Sequence, residues 1–568
     1  MAGFFVTNIK ATQEVELTSY KSKKLFRDEI TNNEYVIKRE SLNSFKNDKL
    51  MYETKNKIVI TEGIVCNSKD LFEKNSVDNF QSLIENMFEN DEVFFKEFRG
   101  SFSGGIYSKS QNKWIFYTDQ LGSHSLYYYY DKNNNEFVVA SQLIYITDFL
   151  KAQGKSVQVD EHGLHCMLDW GYIIDNASIV KDIKRLYPGE YLVFEKSQMH
   201  IYSYYVANYS PKNLTMAEYI NNLDYAFGVA VKRIIEKCEQ NDYKALLDIS
   251  GGLDSRMIAF KANEVCNNES ITAFTFSQNN SIEQKVAFEV AQKLNIEIFY
   301  KMLDTDKFLT NMKDVMLLNN GSSYYLGLQA GLSLGEFVDS RVYGVEITGL
   351  MGDMRDSSML LKDGKIAPVL DGSIFKSNTL NPLNQYSNYS AVMDYFDTNE
   401  VFWLYLRGIM AGMNTAVAKQ NFIEVMTPFG DVDFLEAYLS IPWEERVEKK
   451  VLLEWMKLKY PEAMEIKYAA INLPAKYTWT WVHKHYERLR RRVIRHFHKE
   501  KGMLDLQKWM NNNKTKSCMD DFYKEAFNNL NIDDEIRHKI ELLYTKGNPL
   551  EKSIALSVLS AYNLYIAN

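Results

Sequence analysis

A glycine turn that carries hydroxyl and carboxylate side chains follows a predicted buried strand near the middle of the chain. Residues 246–255 read Leu-Leu-Asp-Ile-Ser-Gly-Gly-Leu-Asp-Ser, and a helical pattern follows over 256–262. Glycines let the backbone turn sharply and approach an anion closely, and the first turn of a helix presents N–H groups to that anion. Ser250 and Ser255 add hydroxyl donors, and Asp254 can hold a magnesium ion against phosphates. The pattern therefore predicts a phosphate site, in preference to an ordinary strand-to-helix turn with a serine N-cap.

The two commoner phosphate loops do not fit this turn, because the Gly-Lys-Ser/Thr and Gly-x-Gly-x-x-Gly spacings are both absent. Ser-Gly-Gly-Leu-Asp-Ser after an apolar strand resembles the pyrophosphate loop of the N-type ATP pyrophosphatases. The resemblance implies that ATP is cleaved between its α and β phosphates, that an oxygen is adenylated, and that a nitrogen or sulfur nucleophile displaces AMP. The nucleotide contacts that it implies here are Leu247, Ser250, Gly251, Gly252, Leu253, Asp254 and Ser255.

A second glycine turn, residues 347–353, reads Ile-Thr-Gly-Leu-Met-Gly-Asp and also follows a predicted strand. It resembles a segment of the asparagine synthetase family, which implies that Gly349 contacts the nucleotide and that Asp353 faces the triphosphate. Asp254 and Asp353 are thus the predicted catalytic carboxylates and the predicted protein ligands of Mg²⁺. Phosphates and waters would supply the other ligands of the ion. Asparagine synthetase has a glutamate, tied to activation of the nitrogen nucleophile, at the position of Leu350.

The strand that ends near Phe276 and the helix that follows it resemble the second strand and helix of the same family. The resemblance implies that Phe276 and Glu283 lie near the nucleotide. Glu283 is also in the first turn of its predicted helix, where a carboxylate complements the helix dipole without any other role. Both interpretations of Glu283 stay open.

The family also has a late lysine that steadies the transition state and the leaving pyrophosphate. Its aligned position falls on Ala469 or Ala470. Lys467 is the predicted catalytic substitute, with Lys476 as an alternative, because a flexible lysine can reach from a neighbouring position. The absence of a lysine at the aligned position is also an argument that the synthetase half has a reduced activity.

The N-terminal half resembles the glutaminase domain of asparagine synthetase over most of residues 90–205. Its catalytic groups differ. The family's nucleophile is a cysteine after the initiator methionine, whereas Ala2 occupies that position and a methyl group cannot form a thioester. Glu62-Gly63 replaces the Asn-Gly oxyanion pair, and a carboxylate has the wrong sign for that task. The family's glutamine-carboxylate segment has no counterpart in residues 20–60. We therefore expect no glutamine hydrolysis.

The residues named above lie within two different patterns of secondary structure. Together these patterns predict a chain of two domains, of the α+β and α/β classes. Residues 1–205 carry short strand signals separated by turns, which indicates antiparallel sheets; the resemblance implies a sandwich flanked by helices, of the N-terminal-nucleophile hydrolase type. Residues 206–215 are polar and form the predicted linker. Over 216–568 strands first alternate with helices, which predicts a parallel sheet in the ATP pyrophosphatase domain, and the chain becomes mainly helical from about 395.

Composition excludes several classes of protein. A net charge of −8 argues against a nucleic-acid binder. No apolar run approaches the roughly 18–20 residues of a membrane span, and the N-terminus lacks the features of a signal peptide. Five cysteines without paired spacing indicate a reduced, cytoplasmic protein. His162, His165 and Cys166 have metal-ligating side chains, but no second ligand cluster accompanies them in the sequence, so no metal site is predicted there.

These observations predict an ATP-dependent, AMP-forming ligase that joins an amine or ammonia to a carboxylate. The C-terminal segments 503–510 and 551–559 resemble those of asparagine-synthetase-like proteins of capsule and O-antigen synthesis. That resemblance implies a uronic acid of a surface polysaccharide as substrate, and other glycan-biosynthesis enzymes as partners. A peptide carboxylate, as in lasso-peptide cyclases, is the second expectation, and ammonia-dependent asparagine formation is the third. A non-catalytic nucleotide-binding scaffold and a homodimer stay open.

Overall fold

The computed structural model describes residues 1–10, 16–18, 20, 25–303, 307–327, 338–352, 377, 379–380, 389–471, 473–477 and 502–567. Within these residues, no helix is long and apolar enough to cross a membrane. Asp353 and the basic run at 487–495 lie outside the described residues.

Two antiparallel sheets of six strands each form the N-terminal part of the fold. In chain order the strands are β1 Gly3–Thr7, β2 Leu25–Thr31, β3 Val36–Leu42, β4 Met51–Glu53, β5 Lys57–Val65, β6 Gly100–Ser108, β7 Lys113–Thr118, β8 Tyr127–Asp131, β9 Glu136–Ala140, β10 Ile183–Arg185, β11 Glu190–Glu195 and β12 Gln198–Ser203. One sheet has the order β10-β8-β9-β1-β3-β2, and the other has the order β12-β11-β7-β6-β5-β4. The prediction of short antiparallel strands in residues 1–205 is confirmed.

The two sheets pack face to face around an aromatic core. Phe4 and Phe137 of the first sheet belong to the same buried cluster as Trp114 and Phe116 of the second, since alternate residues of each strand point inward. Helices α1 Ser68–Asn75, α2 Phe80–Asn90 and α3 Leu143–Ala152 cover the outer faces, while α4 Glu161–Trp170 packs against the late helices Asp534–Lys546 and Pro549–Tyr562. The predicted antiparallel sandwich flanked by helices is therefore confirmed.

A parallel sheet of five strands forms the centre of the C-terminal part. Its strands are β13 Lys244–Asp248, β14 Ile271–Ser277, β15 Ile298–Met302, β16 Tyr343–Ile347 and β17 Glu424–Met426. Their order is β15-β14-β13-β16-β17, and every neighbouring pair is parallel. The chain runs outward from β13 through β14 to β15 and then continues on the other side of β13. Open α/β sheets bind ligands at such a reversal, beyond the carboxyl ends of the strands.

Helices surround this sheet and continue to the end of the described chain. The first four are α5 Met216–Glu239, α6 Leu253–Val265, α7 Ile282–Leu294 and α8 Met312–Leu318. The later α-helices are Ser390–Met393, Asn399–Trp403, Asn414–Lys419, Val432–Leu439, Trp443–Arg446, Lys450–Lys459, Pro461–Glu465, Leu506–Met510, Asn513–Asn528, Asp534–Lys546 and Pro549–Tyr562. Leu404–Met413 and Asn563–Ala567 are π-helical. A small hairpin, β18 Lys467–Tyr468 with β19 Leu473–Pro474, interrupts them. The predicted parallel sheet with a helical C-terminal extension is confirmed.

Helix α5 begins at Met216, directly after the predicted linker, because a capping box fixes its first turn. The Thr215 hydroxyl accepts the Glu218 N–H, and the Glu218 carboxylate accepts the Thr215 N–H. This reciprocal arrangement satisfies two backbone donors that a helix start leaves unpaired. We keep 1–205, 206–215 and 216–568 as the proposed domains and linker.

Buried charged side chains join the N-terminal sandwich to the parallel sheet. Glu424 of β17 forms an ion pair with Lys49 at 2.8 Å and lies 3.1 Å from Nε2 of His124. Lys49 lies 3.9 Å from Glu62 of β5. The side chains of Lys49, Glu62 and Glu424 are at most 1% exposed, so water does not screen these charges.

The ionisation of this group depends on its internal partners. Burial opposes the charge of Glu424, but Lys49 and His124 outweigh it and lower the pKa of Glu424 to about 2. Burial also opposes the charge of His124, but the hydrogen bond and the charge of Glu424 outweigh it and raise the pKa of His124. Glu424 is therefore ionised at neutral pH, where it pairs with Lys49.

Glu424→Gln should lower the free energy of unfolding by about 3–5 kcal/mol, because it leaves Lys49 buried without its nearest counter-charge. The measurement is urea unfolding at neutral pH. Glu454→Gln is the matched control, since Glu454 pairs with Lys457 at 2.7 Å on the surface and such pairs contribute at most about 1 kcal/mol. Equal effects of the two substitutions would contradict the prediction.

The pH dependence of that difference has a defined sign. Because the pKa of Glu424 is lower in the folded chain, its stabilisation is present above a pH of about 4.3 and is lost as the pH falls towards 2. The advantage of the wild-type chain over Glu424→Gln should therefore shrink on acidification.

Candidate active site

The phosphate loop lies at the carboxyl end of β13 and is closed by its own hydroxyls. The Ser250 N–H donates to Oγ of Ser255 at 3.0 Å, and the Gly252 N–H donates to Oγ of Ser250 at 3.2 Å. The two hydroxyls are 3.1 Å apart. Helix α6 starts directly after Gly252, whose lack of a side chain leaves its N-terminus without a side-chain cap. An anion at this position would meet the backbone donors of the helix start.

Gly251 is held between helix α7 and the hairpin of β18 and β19. Its N–H donates to Oε2 of Glu283 at 3.0 Å, and its carbonyl accepts the Ala469 N–H at 3.1 Å. A Cβ atom at Gly251 would lie 2.1 Å from Oε2 of Glu283 and 2.3 Å from Cβ of Ala469. Only glycine fits this position. Burial raises the pKa of Glu283, although the Gly251 N–H opposes the shift.

The position of Glu283 fits the helix-dipole interpretation, and its place near the nucleotide stays a prediction. Glu283 is in the first turn of α7, whose N-cap is Ser281, and its carboxylate also contacts the phosphate loop. An acceptor at the Gly251 N–H orients the loop from the side of α7.

The second glycine turn packs directly onto the first turn of α6. A Cβ at Gly349 would lie 3.1 Å from the Ser255 nitrogen, and one at Gly352 would lie 2.4 Å from Cγ of Asp254. Asp254 is partly exposed. The two turns thus meet at Asp254, while its predicted partner Asp353 lies outside the described residues.

The segment that carries the predicted lysine is anchored by a buried arginine. The Arg256 guanidinium, 0% exposed, donates to the carbonyls of Ala463 at 2.9 Å, Ile466 at 3.0 Å and Lys467 at 2.5 Å. Burial lowers the pKa of Arg256 to about 10; the three carbonyls accept from its Nη atoms, while its Nε is buried without a hydrogen-bond partner in the described part of the chain. This anchor brings the hairpin of β18 and β19 against the loop.

The predicted lysines differ from the aligned position in their surroundings. Ala469 touches the loop through Gly251, so a methyl group stands at the aligned position. The Lys467 side chain is exposed, and Lys476 pairs with Glu465 at 2.6 Å on the surface. A catalytic role for Lys467 stays a prediction that requires its side chain to turn towards the loop.

Three predicted apolar contacts occupy different surroundings. Leu247 and Leu253 are buried in the main core, at 1% and 6% exposure, so their contribution to a ligand would come from the backbone. Phe276 is partly buried and packs against Leu246 and Phe274. Of the three, Phe276 has side-chain surface available near the end of β14.

The glutaminase-like centre is assembled from both halves of the chain. The Ala2 N–H donates to Oδ1 of Asn421 at 3.0 Å, and the Ala2 carbonyl accepts from Gln142 at 2.7 Å. Glu62 accepts the Ser41 hydroxyl at 2.7 Å, and burial raises its pKa against the opposing charges of Lys49 and Arg39. Gly63 has a φ of +89°, so the glycine of the family's pair is retained while its neighbour is an acid.

His162 and Cys166 acquire a partner that the sequence does not reveal, Asp175. The His162 Nε2 lies 2.5 Å from Oδ2 of Asp175 and 3.7 Å from Sγ of Cys166. Two ligands of one zinc ion, each bound at about 2.0–2.2 Å in tetrahedral geometry, lie further apart than 2.5 Å. The distance fits a hydrogen bond between the two side chains. His165 instead contacts Lys539, at 3.1 Å.

Sequence reasoning missed one charged group near the carboxyl ends of β13 and β16. It consists of Asp248, Glu346 and Lys419. Lys419 donates to Oε1 of Glu346, and the charge of Lys419 also acts on Asp248. A signal was available, because Asp248 and Glu346 each interrupt an otherwise apolar strand directly before a glycine turn.

Two family models match parts of the chain. A model described as a glutamine amidotransferase domain matches residues 46–205, and one described as the queuosine biosynthesis protein QueC matches residues 244–329. The order of the two matches fits an asparagine synthetase-like architecture. The second match spans β13, the phosphate loop, β14 and β15. Together the matches support an ATP-dependent enzyme of the amidotransferase or ligase type.

Among solved structures, the allosteric regulatory enzyme of purine biosynthesis is similar over 53% of this chain and 74% of that chain, with 10% sequence identity and a TM-score of 0.24. A comparison with curated protein sequences gives no significant match.

Proposed function

We propose that this asparagine synthetase-like chain is an AMP-forming ligase that adenylates a substrate carboxylate and transfers an amine or ammonia to it. The observation that carries the proposal is the meeting of two glycine turns at Asp254, at the topological switch point of the parallel sheet. A strand end, a helix start and a close backbone approach are what a polyphosphate site requires.

The residues present fit ATP and Mg²⁺ on two counts. The close contacts of Gly251 with Glu283 and Ala469 fix the conformation of the loop, and the uncapped start of α6 offers N–H donors. Asp254 would hold the ion, with Asp353 as its proposed partner. When bound, Mg²⁺ would neutralise charge on the phosphates. Ser250 and Ser255 would orient the leaving pyrophosphate through their hydroxyls.

In this proposal the N-terminal half does not hydrolyse glutamine. Ala2 supplies no nucleophile, its N–H is engaged by Asn421, and the buried Glu62 is tied to Ser41. An assay of glutamate release from glutamine checks this directly. Release at the rate of an ordinary glutaminase would overturn this part of the proposal.

The substrate order follows the resemblance of the C-terminal segments. A uronic acid of a surface polysaccharide is first, a peptide carboxylate is second and aspartate is third, with amine or free ammonia as nitrogen donor. Glycan-biosynthesis enzymes are proposed partners, a homodimer the proposed assembly and the cytoplasm the proposed location. The alternative is a nucleotide-binding scaffold without catalysis, which the methyl group of Ala469 beside the loop favours.

Carboxylate-dependent exchange of labelled pyrophosphate into ATP separates the ligase from the scaffold. The assay uses galacturonic and glucuronic acid, short peptides and aspartate, each with and without Mg²⁺. Exchange that needs both the acid and the metal is the expected result. ATP binding without exchange for every acid tested would favour the scaffold and contradict the ligase.

A further inference from the structure

A buried lysine and two carboxylates lie at the point where the sheet passes into both glycine turns. In the register of β13 and β16, Leu246 is opposite Glu346 and Leu247 is opposite Ile347. The next positions are Asp248 and Thr348, at the carboxyl ends of the two strands. Because alternate residues of a strand share a face, Asp248, Glu346 and Thr348 lie on one face of the sheet.

The charges of this cluster do not balance. Lys419 donates to Oε1 of Glu346, whereas the other oxygen, Oε2, is buried without a hydrogen-bond partner. Glu346 is 0% exposed, and Asp248 is partly exposed. With Lys419 protonated and both acids ionised, the cluster carries one excess negative charge. Buried excess charge of this kind is costly unless it has a function or a cationic partner.

We propose that Asp248 is the catalytic base for the nitrogen nucleophile, and that Glu346 and Lys419 set its basicity. This proposal rests on the proposed ligase function. Asp248 is two residues before Ser250, and Thr348 directly precedes Gly349, whose Cβ position is 3.1 Å from the Ser255 nitrogen. The cluster therefore borders the same sheet edge as the phosphate loop. The cluster supplies a carboxylate at the carboxyl ends of these strands, whereas Leu350, at the position of the family's glutamate, has no carboxylate.

The proposed step transfers nitrogen from an ammonium ion to the acyl adenylate. An ammonium group is attracted by the negative cluster, and one proton passes from its nitrogen to the Asp248 carboxylate. The freed lone pair attacks the acyl carbon of the acyl adenylate, the bond from that carbon to the phosphate oxygen breaks, and the electron pair leaves with AMP. The nitrogen releases its second proton to solvent, and Asp248 later returns to its ionised form in the same way.

The surroundings support ionisation near neutral pH. Loss of hydration raises the pKa of Asp248 to about 6; Lys419 opposes this rise, Glu346 adds to it, and a hydrogen bond from Thr348 opposes it. Burial opposes the charge of Lys419, but Glu346 and Asp248 outweigh it and raise the pKa of Lys419. A general base works best when its pKa is close to the operating pH.

The test separates adenylation from amine transfer. Asp248→Asn should retain carboxylate-dependent pyrophosphate exchange, which needs no base for nitrogen, and lose amide formation with ammonium chloride by about a hundredfold or more. Hydroxylamine, which is unprotonated at neutral pH, serves as the control nucleophile and should still give hydroxamate. Equal loss of exchange and amide formation would mean a structural role and overturn the assignment, as would unchanged amide formation.

Two further variants test the cluster by the direction of a pH shift. Glu346→Gln removes a charge that raises the pKa of Asp248, so the acidic limb of amide formation should move to lower pH. Lys419→Met removes an opposing charge, so the same limb should move to higher pH. Shifts in one common direction, or none, would overturn the proposal. Absence of exchange in the unmodified chain would instead overturn the ligase function itself.

Discussion

Asp254→Asn should abolish ATP–pyrophosphate exchange, with an expected loss of about a thousandfold, or ~4 kcal/mol in the barrier. Asparagine keeps the size of aspartate, so the close packing of Gly352 on this side chain is preserved. What disappears is the charge that would hold Mg²⁺ beside the phosphates. The measurement is the exchange rate at saturating ATP and Mg²⁺, together with nucleotide affinity.

The matched control is Asp70→Asn. Asp70 is also an acidic residue in the first turn of a helix, α1, and it is exposed and far along the chain from the loop. Its loss changes only a helix-dipole interaction of about 0.3–1 kcal/mol. Unchanged exchange in the Asp254→Asn variant would show that the metal position has been wrongly assigned.

Gly251→Ala should reduce exchange by about a hundredfold while the chain stays folded. The added methyl group would overlap Oε2 of Glu283 and Cβ of Ala469, so α7 or the β18–β19 hairpin must move away from the loop. A displacement of about 1 Å in a positioning contact is enough for such a loss. Exchange kinetics and thermal unfolding are measured on the same preparation.

Gly228→Ala supplies the comparison for this change. A Cβ at Gly228 within α5 would meet only Lys261 at ordinary contact distance, 3.5 Å, and alanine favours a helix interior by about 1 kcal/mol over glycine. That variant should be at least as stable as the parent and equally active. If Gly251→Ala were equally harmless, the loop would not approach its ligand through the Gly251 backbone.

The sequence was sufficient to predict the strand, the glycine turn and the helix at residues 244–265, because all of their signals are local. An apolar strand, two glycines and a helix start follow one another without interruption, and β13, the loop and α6 appear in that order. The alternation of strands and helices likewise predicted the parallel sheet, since each period is set by neighbouring residues.

The parts that escaped prediction depend on contacts between distant segments. Asp248, Glu346 and Lys419 meet only because strand register and helix packing bring them together. Asp175 joins His162 for the same reason. The two hydrogen bonds of the Gly251 backbone need Glu283 and Ala469, which lie in separate elements. No spacing in the sequence encodes such meetings.

The ion pair between Lys49 and Glu424 also limits how far the two halves can be treated as interchangeable modules. Excision of the N-terminal half would strip Glu424 of both its cationic partners, since Lys49 and His124 belong to that half. An N-terminal domain taken from another protein would need a lysine and a histidine at matching places to contact Glu424 in the same way. The N-terminal sandwich and the parallel sheet therefore share buried charged side chains, and each half supplies partners that the other half needs.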